Sequence, residues 1–190
     1  MGSFKRRQQA ITARVVSIVE SLESVGTDVC HGCEVGVWKG NTSRVLLKRF
    51  PHLFLWMVDS WKIEGVQWRT TQSNIQESLK EAIESTQFAR DRCNIVEQLS
   101  MDAVMQFRDE LFDFVFINAD HTYKAVYEDL RGWWPKVRDG GILCGDNYND
   151  RLERYRQKWG VKKAVDEWLA ENRWYQIVLK ETTYFAVIKI

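Results

Sequence analysis

Two hydrophobic periods alternate along this chain, and few folds accommodate both. Residues 29–37 (VCHGCEVGV), 53–60 (LFLWMVDS), 94–99 (NIVEQL), 112–119 (FDFVFINA) and 140–147 (GGILCGDN) read as strands. FDFVFINA and GGILCGDN are nearly continuous in apolar residues, as strands covered on both faces are. Between them lie stripes with helical spacing: Ile11, Val15, Ile18 and Leu22 within about 5–24; SRVLLKRF with Asn41 and Thr42 as N-cap candidates; Ile75, Leu79 and Ile83; and Val126, Leu130 and Trp133 ahead of Pro135. After Gly160, VKKAVDEWLAEN is helical, and WYQIVLKE with TYFAVIKI reads as a hairpin turning near Glu181 and Thr182. This order predicts an α/β fold, a doubly wound and mostly parallel sheet with its site at the C-terminal ends of the strands. The whole chain, 1–190, is expected to form one domain, with neither internal repeat nor linker.

Charge narrows the partners. With 27 Lys and Arg against 26 Asp and Glu, the formal charge is +1. That supplies no field to hold nucleic acid or a membrane surface. No run approaches the ~18 apolar residues of a membrane span, so a cytoplasmic protein is expected. The cysteines Cys30, Cys33, Cys93 and Cys144 scatter like reduced thiols. Cys30-His-Gly-Cys33 matches a redox or metal pattern, but it has no second pair and leads into a strand, so it reads as structural. His31 and His52 read as structural too.

Glu34-Val-Gly36-Val-Trp-Lys-Gly40 closes the first strand. Its glycines suit a sharp turn and a close approach to a ligand. The spacing is neither G-x-G-x-x-G nor a phosphate loop ending in G-K-[ST]. Asp59 ends the second strand 19 residues after Gly40, where a carboxylate could accept from ribose hydroxyls. Together these features predict a nucleoside cofactor with an amino-acid tail in place of a pyrophosphate.

The stretches CEVGVWKGNTS, MVDSW, FDFVFINADHTYKAVYEDLRGWWPKVRDGGILCGDNY and GVKKAVDEWL resemble the successive motifs of class I S-adenosylmethionine-dependent methyltransferases. They are most similar to the small-molecule group whose fourth strand ends in Asp-x-Asp-His, here Asn118-Ala-Asp120-His121. The resemblance implies a Rossmann-like, seven-stranded sheet whose last strand is antiparallel. It places Glu34, Gly36 and Gly40 around the methionine part of S-adenosylmethionine, Asp59 on the ribose, and Ser100 with Met101 beside the adenine. Trp61 and Asn118 would border the same cleft.

Methyl transfer from a sulfonium needs an aligned nucleophile and a proton acceptor. His121 is the expected general base, with Asp120 as its orienter or substitute. A small-molecule oxygen is the expected acceptor, chosen by segments 60–74 and 148–160. Related metal-dependent enzymes further imply a divalent cation such as Mg²⁺, here on Asn118, Asp146 and Asn147, with Asn118 replacing a carboxylate. Two other readings stand beside this one: a catalytically silent domain of the same fold that binds a nucleoside or a protein, and a nicotinamide oxidoreductase, which the glycine spacing disfavours.

Overall fold

The computed structural model describes residues 17–23, 29–62, 72–148, 160–180 and 184–190. The start of the 5–24 helix, most of segments 60–74 and 148–160, and the turn at Glu181 and Thr182 lie outside them.

The described residues contain seven strands: β1 (His31–Val35), β2 (Phe54–Asp59), β3 (Cys93–Glu97), β4 (Phe112–Ile117), β5 (Val137–Asp146), β6 (Tyr175–Lys180) and β7 (Tyr184–Lys189). They form one sheet in the order β3-β2-β1-β4-β5-β7-β6. The first five pair in parallel, while β7 runs antiparallel to both its neighbours. This is the Rossmann-like sheet expected, antiparallel last strand included.

The helices are α1 (17–23), α2 (Asn41–Arg49), α3 (Gln72–Thr86), α4 (Ser100–Ala103), α5 (Tyr123–Trp133) and α6 (Val161–Glu171). Period-two alternation in β4 sends Phe114 and Phe116 to one face of the sheet and Val115 and Ile117 to the other. The first face packs Ile18, Leu22, Leu46, Leu47 and Ala82 from α1, α2 and α3. The second packs Ala103, Val126, Leu130, Trp133, Val165 and Trp168 from α4, α5 and α6. Both faces of the central strands are therefore covered, which explains why β1 and β4 carry so few polar residues, whereas β3 at the edge is largely exposed.

One local expectation is corrected. Neither Asn41 nor Thr42 caps α2: the N-cap is Gly40, at φ 68°, and no side chain caps it. Asn41 is already the first helical residue.

Candidate functional site

The strand order reverses between β1 and β4, so the chain leaves these neighbours in opposite directions and opens a crevice above their C-terminal ends. Gly36 and Asn118 are the first residues beyond the two strands. Gly36 adopts φ 91°, and a Cβ there would overlap the Asn118 carbonyl and lie 2.6 Å from Ala119 Cα. At Gly40 a Cβ would lie 2.8 Å from Ser85 Oγ and 3.0 Å from Ala82 Cα of α3. Both glycines thus permit a close approach of the protein to itself: of β1 to the β4 end at Gly36, and of the loop to α3 at Gly40.

Asp59 holds the loop between them. Its Oδ2 accepts from the backbone N–H groups of Val37 (2.9 Å) and Trp38 (2.8 Å), and its Oδ1 accepts from Trp61 N–H (2.9 Å). These bonds accompany left-handed backbone at Trp38 (φ 52°) and Trp61 (φ 42°), which is costly for large side chains and persists only where surroundings impose it. Trp61 Nε1 also donates to the Trp38 carbonyl at 2.9 Å, and its ring is 4% exposed within the core over β2. Trp61 therefore braces the loop from below, while the Trp38 ring is half exposed. Below the loop the Glu34 carboxylate is buried and accepts from the Ser43 hydroxyl of α2.

Two consequences follow for ligand chemistry. Adjacent loop N–H groups are the usual receptor of a phosphate, and here a carboxylate of the protein already occupies them. Moreover, no cation pairs with Asp59 or Asp120 among the described residues. The two amides of this loop are engaged by the protein's own carboxylate.

Residues from the ends of β4 and β5 meet as the sequence suggested. Asn147 Nδ2 lies 2.7 Å from His121 Nε2 and 3.2 Å from Asp146 Oδ2. With the amide as donor, Nε2 is the acceptor and the ring proton sits on Nδ1. The His121 carbonyl accepts from Gly160 N–H at 2.9 Å, anchoring the loop to the start of α6. Asp120 Oδ1 accepts from Thr122 N–H at 2.9 Å, an Asx turn leading into α5.

This arrangement does not suit a divalent cation on Asn118, Asp146 and Asn147. Only one of the three is a carboxylate, and Asn147 turns its amide nitrogen toward Asp146, whereas magnesium and calcium take oxygen. Among the described residues no group of three or more His, Cys, Asp or Glu could hold a metal ion.

Ser100 and Met101 begin α4, just past β3. The Ser100 hydroxyl is turned to α5, donating to Asp129 Oδ1 and accepting from Trp133 Nε1 at 2.9 Å. Met101 is 40% exposed and lies over Gly132, in a groove of about 460 Å³ shared with Tyr123, Tyr127 and Arg131. Sequence reasoning missed Asp129. It stands at i+3 in the buried stripe Val126, Asp129, Leu130, Trp133, and an acid in an apolar stripe was the available signal. Burial pushes its carboxyl up to about 7, opposed by the Ser100 hydrogen bond and reinforced by the charges of Asp120 and Glu128. The cysteines are free, and burial raises the Cys33 and Cys144 thiols, the latter to about 12, consistent with structural thiols.

Among the described residues no helix is long and apolar enough to cross a membrane. No curated protein sequence matches the chain. Solved structures do match at low identity. The O-methyltransferase from Bacillus cereus in complex with S-adenosylhomocysteine (SAH) shares 15% identity at TM-score 0.66, covering 100% of this chain and 91% of that one. The N-methyltransferase NodS from Bradyrhizobium japonicum WM9, also in complex with SAH, shares 15% at TM-score 0.66 over 94% and 86%. SAH-bound Podospora anserina methyltransferase PaMTH1 shares 13% at TM-score 0.64 over 90% and 76%. At such identities these likenesses speak for the fold. The family is set by sequence: the profile of the methyltransferase domain matches residues 33–148, from the end of β1 past β5 and across every element of the crevice, and the chain belongs to that family.

Proposed function

We propose that this methyltransferase binds S-adenosylmethionine over β1 and β4 and transfers its methyl group to an oxygen of a small molecule. The observation that carries the cofactor is the carboxylate of Asp59 seated on the Val37 and Trp38 N–H groups. It removes the loop as a phosphate receptor, disfavouring a dinucleotide, and leaves negative charge for a sulfonium. A carboxylate offers about four acceptor sites, and three are taken by Val37, Trp38 and Trp61. One is left for a ribose hydroxyl, fewer than the two bonds a fully open Asp59 would provide. Glu34, Gly36 and Gly40 shape the floor at the methionine end, and Ser100 and Met101 form the adenine end. Asn118, first past β4, borders Gly36 on the side away from β2.

When bound, the cofactor supplies an activated methyl group. The protein's part is to orient the acceptor hydroxyl and take its proton. His121 does this at Nε2, the nitrogen that Asn147 Nδ2 now faces at 2.7 Å; the acceptor hydroxyl replaces that amide as donor. Asn147 thereby holds the ring with the Nε2 lone pair aimed until the acceptor arrives. Asp120, one residue away, orients His121 or substitutes for it.

The binding test is calorimetry with SAH and with NAD⁺. SAH alone should bind, and NAD⁺ binding without SAH would reverse the assignment. For chemistry, His121→Ala should lower turnover by about 10²- to 10⁴-fold with little change in SAH affinity. Normal turnover in that variant would transfer the role to Asp120. SAH binding without turnover on any hydroxylated or amine acceptor would identify the silent domain.

A further inference from the structure

α4 is a single turn, and the corner that leads into it is tied down from two sides. Gln98 N–H donates to the Asp59 carbonyl at 3.1 Å, fixing the corner to β2, and Ser100 fixes it to α5. The Ser100 bonds have a defined direction. Trp133 is fully buried and its Nε1–H donates to Ser100 Oγ, so the Ser100 proton goes to Asp129 Oδ1. Asp129 and Trp133, one helical turn apart on α5, thus hold the hydroxyl from both ends.

Asp129 is 3% exposed, and among the described residues this is the one hydrogen bond its carboxylate accepts. The other charges acting on it are acids, Asp120 from the β4–α5 loop and Glu128 from its own helix. A carboxylate buried in this way is unfavourable, and an apolar pair at 100 and 129 would join the helices at lower cost. Departures from local economy of this kind are expected where function uses them. What Asp129 provides that Leu would not is a single orientation for Ser100, and with it a set path for Leu99–Met101.

We infer that Asp129 is a positioning residue for the adenine end of the cofactor, acting through Ser100. The inference rests on the adenine lying beside Ser100 and Met101, as proposed above. Asp129 itself does not touch the ligand: it sets the backbone path of the corner, Leu99–Met101, against which the ring would lie.

The experiment compares Asp129→Leu, Asp129→Asn and Ser100→Ala. Calorimetry gives affinity for SAH and, by displacement, for S-ribosylhomocysteine, which keeps the ribose and homocysteine and lacks the adenine. Asp129→Leu and Ser100→Ala should weaken SAH by about tenfold or more, as expected when a buried, charge-assisted bond is lost, and leave S-ribosylhomocysteine within about twofold. Asp129→Asn retains an acceptor for the Ser100 proton and should return SAH to within about threefold of the parent. Should Asp129→Leu fail to fold, Ser100→Ala, which removes a hydroxyl alone, carries the comparison. Unchanged SAH affinity, equal weakening of both ligands, or an Asn variant as weak as the Leu variant would each overturn the inference. A parent protein that binds no SAH refutes the cofactor proposal instead, and this inference with it.

Discussion

The two ends of β1 are clamped in the same way and finished differently. At the start, Asp113 Oδ2 of β4 accepts from the N–H groups of Cys30 (2.7 Å) and His31 (2.6 Å). At the finish, Asp59 Oδ2 of β2 accepts from Val37 and Trp38. Each carboxylate bridges from a neighbouring strand to two consecutive amides. At the lower end the second oxygen receives Arg138 Nε at 2.6 Å, so the charge is neutralised and the group is 9% exposed. At the upper end the second oxygen receives Trp61 N–H, no cation arrives among the described residues, and the group is half-buried. Backbone strain divides likewise: left-handed Trp38, Trp61 and Asn147 belong to the upper loops, with Glu110 elsewhere. One device therefore serves stability where it is saturated and binding where it is left incomplete.

The largest effect expected is at Gly36. Its Cβ position overlaps the Asn118 backbone at φ 91°, so Gly36→Val must separate β1 from β4 at the crevice. The change should cost about 3 kcal/mol or more by denaturant unfolding and abolish SAH binding. A variant of near-parental stability would show that the upper loops adjust freely, and the comparison between the ends would lose its basis.

Next comes the pair Asp59→Ala and Asp113→Ala, for which opposite patterns are expected. Losing Asp59 should weaken SAH by about 10- to 150-fold, the equivalent of one charge-assisted hydrogen bond at roughly 1.5–3 kcal/mol. The cost in stability should be about 1 kcal/mol, because water can reach the Trp38 amide beside a half-exposed ring. Losing Asp113 strands Arg138 and two amides at the covered end, which should cost about 2–4 kcal/mol of stability and leave SAH affinity unchanged. Calorimetry and unfolding of both variants decide it. Matching profiles would mean that the ends do not differ in kind.

How far this could be read from the chain follows from the same two residues. Strands covered on both faces announce themselves as apolar runs, so the β/α alternation and the closing hairpin were legible, and with them the sheet. The position of Asp59 was legible from spacing because a strand end and a glycine turn are local facts. Its partners were not, since which amides a carboxylate meets depends on strands brought together by folding. The Asn41 and Thr42 caps failed for that reason: the amides before α2 are organised by Asp59 and left-handed Gly40 supplies the cap. Asp113 sits inside FDFVF and gave no sign of Cys30, His31 and Arg138. That the ends of β4 and β5 converge was anticipated because the strands follow one another in the chain, whereas the His121–Asn147 contact and its use of Nε2 required coordinates.

A third prediction sharpens the electrostatic side of the comparison. Asp129 lies toward the upper end and its carboxyl is raised to about 7, against about 3.9 for an unfolded Asp. The folded state holds this proton more tightly than the unfolded chain. The stability it confers is therefore complete below about pH 4 and lost as pH climbs toward 7. Asp129→Asn, which cannot ionise, should gain on the parent by about 3 kcal/mol between pH 4.5 and pH 8. Parallel stability curves across that range would mean that Asp129 is ionised without penalty, with a compensating cation at the upper end.

The smallest effect concerns a divalent cation, the upper-end counterpart of Arg138. Wild-type melting should not differ between chelator and 10 mM Mg²⁺, Ca²⁺ or Mn²⁺, because Asn147 offers its nitrogen toward Asp146 and Asn118 adds no charge. Asn118→Asp changes this balance in two directions. In chelator the new carboxylate adds repulsion to Asp120 and Asp146 and should lower stability slightly. With 10 mM Mg²⁺ and a millimolar-range site the ion should restore about 1 kcal/mol, or about 2–4 °C in a chain of this length. A chelator-sensitive shift in the wild-type protein would require the Asn147 amide to turn its oxygen inward and release His121 Nε2. Both ends of β1 would then carry a cation, and the incomplete charge would no longer distinguish the crevice from the opposite edge of the sheet. A response limited to Asn118→Asp keeps them distinct, because a cation joins the upper end only when its missing carboxylate is supplied.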